Sequence, residues 1–216
     1  MKTLAALRII KATASYQWGF VTTAQMQKQG VERIILSRLA KEGYLSRFQQ
    51  GVYKDAAVPA SRYDLIRSTW LSFLPERRQF ERVANLPKEY VITGAAGAYL
   101  WDVGDLNPEP LTFVCNVRRQ TTRLGVRLIK APVNADEIEL VEGLPVAKLE
   151  RIICDLAAER EDLSLIGDVL ADARRHHIPI DNKRLIDNLA PYARRYGLVN
   201  NQGKALLNLI EGGSKG

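Results

Sequence analysis

Apolar residues recur at helical spacing through the first part of the chain. Leu4, Leu7 and Ile10 lie three apart and predict a helix over residues 3–14, edged by Arg8 and Lys11, each four residues after a leucine. "GFVTTAQMQKQG" then predicts a short extended run at Phe20 and Val21. It places an N-cap at Thr22 and one or two helical turns ending at Gly30, a glycine suited to the turn of a helix-turn-helix. Val31, Ile35 and Leu39 repeat at i+4, with Leu36 widening the stripe, so a second helix is expected over 32–42 with Gly43 at its end. "YLSRF", "QQG" and "VYK" follow as a hairpin in which Gly51 takes the positive φ of the turn. Tyr63, Ile66, Trp70 and Phe73 predict a helix over 61–74, stopped by Pro75.

The pattern changes after a charged stretch, "ERRQFERVANLPKEY". Strands are expected near 90–93, 111–117, 124–130 and 136–141, with a helix of small residues at 94–102. Helices follow near 148–158, 163–175, 182–190 and 202–211, then a Gly/Ser/Lys tail. The expected class is α+β. An N-terminal winged helix-turn-helix (1–85) precedes a mixed α/β C-terminal domain ending in helices (86–216), with the soft boundary between 55 and 85. No internal repeat is visible.

Charge sharpens this division. The chain of 216 residues carries a net +7, but residues 1–90 hold 15 Lys/Arg against 7 Asp/Glu, and residues 91–216 hold 16 against 17. A surplus confined to the first part points to a polyanionic partner more strongly than a basic whole-chain balance does. Two isolated cysteines, Cys115 and Cys154, support neither a disulfide framework nor a four-ligand zinc site and fit a reducing compartment. Arg8 and Lys11 interrupt any signal-peptide core, and no run approaches the ~20 apolar residues of a membrane span, so a cytoplasmic protein is expected.

The second helix of the helix-turn-helix suits the major groove, where Arg pairs with guanine and Ser reaches either kind of base edge. Its outward residues Arg33, Ser37, Arg38 and Lys41 are the expected DNA contacts, with Glu32 and Glu42 excluded because carboxylates repel phosphate. The wing offers Arg47, Gln49, Gln50 and Lys54, and the start of the preceding helix offers Thr22, Thr23 and Gln25 to a phosphate. The competing reading is a winged domain that makes only protein contacts, its basic residues a solvated face.

Other motifs are weaker. "TGAAGAYLW" follows a strand and opens a helix but matches no phosphate-loop motif; close packing of a helix on a sheet accounts for its small residues better. His176 and His177, adjacent on a helix, point to different faces, and Cys154 falls on an apolar face. "DEIELVE", Asp136 to Glu142, reads as a solvated strand rather than a nuclease metal site. No cofactor and no metal are expected.

"GFVTTAQMQKQGVERIILSRLAKEGYLSRFQQGVYK" resembles the winged-helix domain of AbiEi-type antitoxins, from the type IV AbiE abortive-infection toxin–antitoxin systems of phage defence. The resemblance lies in Thr22-Thr23, Gly30-Val31, Leu36, Leu39, Gly43, Leu45, Arg47 and Gly51-Val52-Tyr53. "YVITGAAGAYLWDVG" and "GLPVAKLERIICDLA", with Asp155, look like the strand-and-helix elements of the family's C-terminal domain. The resemblance implies a non-enzymatic transcriptional autorepressor that binds double-stranded operator repeats in its own promoter. It also implies that the protein counteracts a nucleotidyltransferase-like toxin, with or without direct contact. Two alternatives stay open: a DNA-processing nuclease targeted by the winged domain, with Glu139 and Glu142 as its test residues, and an effector-responsive regulator.

Overall fold

In the computed structural model, described over residues 3–86, 89–117 and 121–213, the chain divides between Asn85 and Leu86 into two compact units. Each has its own sheet. The fold is mixed α and β, in the α+β class.

The first unit runs α1 (Thr3–Ala14), β1 (Phe20–Thr22), α2 (Thr23–Lys28), α3 (Arg33–Lys41), β2 (Leu45–Gln49), β3 (Val52–Asp55), α4 (Asp64–Phe73) and α5 (Gln79–Val83). The strands form an antiparallel sheet in the order β1-β3-β2. α2 begins with a reciprocal cap in which Thr22 Oγ1 accepts from Gln25 N and Thr22 N donates to Gln25 Oε1. Gly30, at φ +80°, reverses the chain, and Val31 N donates back to Met26 O at 2.9 Å, so α3 leaves at a fixed angle. Val21, Met26, Val31, Ile35, Leu36, Leu39, Leu45 and Tyr53 close one core with Ala6, Ile10 and Ala14 of α1.

α1 occupies the expected residues, but its buried face is not the leucine stripe. Leu4 is 64% exposed, whereas Ala6, Ile10, Thr13 and Ala14 are buried. The row at i, i+4, i+7 and i+8 turns Ala6, Ile10, Thr13 and Ala14 inward, so alanines at both ends let the helix backbone approach the core, and Arg8 and Lys11 stay in solvent. α4 starts three residues later than its apolar spacing suggests. Ser61 to Tyr63 form a turn, closed by Asp64 N to Ser61 O at 3.0 Å, and the Asp64 carboxylate also takes Ser61 N at 3.0 Å.

The second unit contains β4 (Val91–Thr93), α6 (Gly94–Trp101), β5 (Leu111–Cys115), β6 (Val126–Lys130), β7 (Ile138–Val141), β8 (Leu144–Ala147), α7 (Leu149–Glu159), α8 (Leu163–Arg175), α9 (Asn182–Leu189) and α10 (Gly203–Gly213). Short 3-10 segments occupy Ala135–Glu137 and Ala190–Tyr196. The sheet order is β6-β5-β4-β8-β7. β4 runs antiparallel to β5 and parallel to β8, β5 parallel to β6, and β7 antiparallel to β8. The strand expected from Asp136 begins instead at Ile138, after the 3-10 turn. Part of the expected tail, 214–216, lies outside the described residues.

Small residues set the close approaches in this unit. A Cβ on Gly97 would come within 2.8 Å of Ile152 Cδ1, so "TGAAGAYLW" is packing sequence, as its small residues suggest. Gly203 is tighter still: a Cβ there would lie 2.0 Å from Ile186 O and 2.9 Å from Ala190 N, both backbone atoms that cannot rotate away. Gly203→Ala is expected to cost at least about 1–3 kcal/mol, the usual range for overpacking. A denaturant midpoint within error of the parent chain would refute the close contact.

Candidate nucleic-acid interface

α3 divides cleanly. Ile35, Leu36 and Leu39 enter the core, while Arg33, Ile34, Arg38 and Lys41 are exposed and Ser37 is half-exposed. The outward row is therefore 34, 37, 38 and 41, with Arg33 beside it in the first turn. Arg38 is partly engaged: Nη2 donates to Thr3 Oγ1 at 2.6 Å and Nε lies 3.8 Å from Glu42. This positions the guanidinium toward the start of α1. Glu32 stands at the N-cap of α3 with no side-chain cap.

The hairpin comes next. In β2, Ser46, Arg47 and Phe48 are exposed while Leu45 is buried, and a bulge falls between Arg47 and Gln49 where the strand pairs β3. The Phe48 ring stands edge-on to Phe20, centroids 5.3 Å apart. Gly51 takes φ +73°, and its carbonyl accepts from Thr23 N at 2.9 Å. The hairpin tip is thereby tied to the start of α2, and Arg47 and Gln50 are left in solvent.

Four expected contacts change on this geometry. Thr22 is fully buried, its hydroxyl capping α2 and donating to Pro75 O. Gln25 is 2% exposed, with its amide shared among Gln17, Thr22 N and Arg77 O. Both are internal fasteners because β1 and α2 are covered by the chain from Pro75 to Gln79, a long-range contact that no local pattern reveals. Lys54 is 5% exposed, with Nζ 2.5 Å from Asp64 Oδ2 and 2.7 Å from Pro59 O. β3 is the central strand of its sheet and all four of its residues are buried, so no face is left for a wing contact. Gln49 is half-buried with its amide nitrogen fully enclosed, which withdraws its donor from any outward contact. Thr23 keeps a half-exposed side chain, but its N–H is spent on Gly51.

Arg33, Ser37, Arg38, Lys41, Arg47 and Gln50 therefore remain as the outward polar set, with Thr23 at its margin. The charge surplus also shrinks in a definite way. Residues 1–85 carry 14 Lys/Arg against 6 Asp/Glu, but Lys54, Arg67 and Arg82 are internal. Arg82 lies flat on Trp70, 3.3 Å from its centroid, and Arg67 sits 5.2 Å from Trp18, which meets Trp70 edge-on.

In the second unit, the first two residues of the acidic run are tied into ion pairs, whereas Glu139 and Glu142 are exposed. Asp136 meets Arg184 at 2.8 Å; Glu137 lies 3.6 Å from Arg184 and 3.9 Å from Arg151. Arg151 Nε donates to both Asp155 oxygens at 2.8 and 3.0 Å, and Thr93 Oγ1 donates to Asp155 Oδ2 at 2.6 Å. Among the described residues no three His, Cys, Asp or Glu side chains gather as a metal-binding group. Cys154 is buried and burial pushes its thiol far up, with Asp155 adding and Arg151 opposing, whereas His176 and His177 are exposed. Burial of this kind suits a structural cysteine. No described helix is long and apolar enough to cross a membrane.

No protein-family model matches the chain, and no curated protein matches it in sequence. The fold does have a relative. The chain is similar to the crystal structure of RV2827C protein from Mycobacterium tuberculosis, with a TM-score of 0.58 and 16% identity over 97% of this chain and 78% of that one. At this identity the likeness establishes shared fold.

Removing one partner of a buried ion pair strands the other charge, at a cost of about 3–5 kcal/mol. Lys54→Ala is expected to lose that much by chemical denaturation, while Arg47→Ala stays within about 0.5 kcal/mol. Equal stabilities would place Lys54 at the surface after all. A pH effect follows from Asp155, whose carboxyl is raised chiefly by burial, against the pull of Arg151 and Thr93. The folded state then binds the proton more tightly than the unfolded chain. Stability therefore falls as pH rises from the ordinary carboxylate value to the raised folded one, and stays lower above it. Asp155→Asn should flatten that segment of the stability–pH curve; an unchanged segment would exclude Asp155 as its source.

Proposed function

We propose that this protein is a cytoplasmic, non-enzymatic antitoxin and autorepressor, with residues 1–85 forming a winged helix-turn-helix that binds double-stranded DNA. The observation that carries the reading is the outward set on one short helix and its neighbouring hairpin. Arg33, Ser37, Arg38 and Lys41 on α3 and Arg47 and Gln50 on the hairpin all lie clear of the core, within the unit that holds the positive surplus. In this reading α3 enters the major groove, where Arg33 and Arg38 suit guanine edges, and Lys41 and Arg47 meet phosphates. The hairpin is the wing. The AbiEi resemblance extends the reading to operator repeats in the protein's own promoter and to a nucleotidyltransferase-like toxin that the second unit helps to counteract.

Titration of fluorescent promoter duplex against salt tests the proposal. About 4–6 phosphates neutralised per monomer give a log–log slope near −4 to −5; Lys41→Ala should shallow it by about 0.9, and Arg33→Ala should weaken binding chiefly by relaxing the preference for guanine. Both variants should stay folded, lose promoter repression and still rescue cells from the toxin on co-expression. Unchanged slope and affinity in both would remove α3 from the interface; loss of rescue would break the proposed division between the units.

A further inference from the structure

The outward row of α3 contains one side chain that electrostatics does not explain. Ile34 is 70% exposed, in the first turn of the helix, and shares its row with Ser37, Arg38 and Lys41 at i+3, i+4 and i+7. Arg33 lies beside it. A single exposed apolar residue is ordinary on a protein surface; one beside Arg33 and heading a row that continues through Arg38 and Lys41, at the leading end of the helix, is in a particular place. A β-branched residue also gains nothing from an exposed helical position, where it loses side-chain freedom. The core side of α3 is already filled by Ile35, Leu36 and Leu39, so Ile34 contributes nothing to closing it.

The surrounding charge selects the occupant. Cations on both sides of Ile34 suit a polyanion, and the floor of the major groove carries one apolar group, the C5-methyl of thymine. First-turn residues of a groove-entering helix are those that reach base edges. We propose that Ile34 is a specificity residue that packs against a thymine methyl in the site bound by α3. The inference rests on the duplex-binding reading given above and adds a base preference to it: guanine for the arginines, thymine for the apolar position between them.

Deoxyuridine differs from thymidine only by that methyl and pairs identically, so it isolates the contact. Full-length protein is used to select duplexes from a random library, and each thymine of the recovered consensus is replaced singly by deoxyuridine. Affinities are then measured at one salt concentration for the parent protein and for Ile34→Ala. The parent should lose about fourfold at one or more thymines, the effect of exposing one methyl-sized group at about 0.8 kcal/mol. Ile34→Ala should bind the thymine duplex weaker by a similar factor and show no further loss with deoxyuridine at that position. Equal parent affinity at every substituted thymine overturns the proposal, as does a deoxyuridine penalty that survives in Ile34→Ala. A changed sedimentation coefficient in Ile34→Ala without any deoxyuridine effect assigns the residue to a contact between copies, and likewise overturns it. Selection of no duplex above background removes the DNA reading itself, whereas tight binding indifferent to deoxyuridine removes only the thymine contact.

Discussion

A lysine ammonium held against a carboxylate inside the first unit fixes much of what surrounds it. Lys54 comes from the central strand of the small sheet and Asp64 from the first residue of α4, and both are almost fully enclosed at 2.5 Å. Burying such a pair is costly unless the geometry and extra hydrogen bonds are good. Here Pro59 O takes a second ammonium proton and Ser61 N reaches the carboxylate. These bonds join β3 to α4 across the 56–63 connection. β3 in turn pairs with β1 on one side and β2 on the other, so the hairpin's position is set from beneath. The exposed residues of α3 and the hairpin can be presented outward because the strands behind them are not free to shift.

Positive charge in this unit serves two ends. Arg67, Arg82 and Lys54 stabilise the interior, through indole faces in the first two cases and a carboxylate in the third. Arg33, Lys41 and Arg47 remain in water. The second unit distributes its charges differently, pairing Arg151 and Arg184 with the acidic segment that leads into β7. Its sheet is framed by α6 and α7, whose close contact depends on Gly97 facing Ile152.

Much of this could be read from the chain alone, for physical reasons that differ by element. α3, α8 and the hairpin follow from strong local signals: an i+4 apolar stripe, a long amphipathic run, and a glycine where positive φ is needed. The Thr22 cap was legible for the same reason, being a bond between residues three apart. β8 was not marked by its periodicity, since it has four residues, all buried, with Pro145 among them. The individual contacts were harder. Lys54, Thr22 and Gln25 look like surface residues in their local setting and become internal through Asp64, Pro75 and Arg77, partners 10 to 53 positions away. Ile34 was legible: with Val31, Ile35 and Leu39 turned inward, the same local stripe leaves it on the outward face, where it is 70% exposed.

On the duplex-binding proposal, the shortness of α3 limits how much sequence one copy would read. Nine residues rise about 13–14 Å at ~1.5 Å each, no more than about four base pairs at ~3.4 Å apiece. Four fully specified pairs recur by chance about once in 250 positions, so a genome offering ~10⁶ or more competing sites would hold thousands of equivalent targets. A single copy would be spread thinly over all of them. On that proposal, addressing one promoter would take several copies side by side on repeated short words, and the number and spacing of those words would carry most of the address.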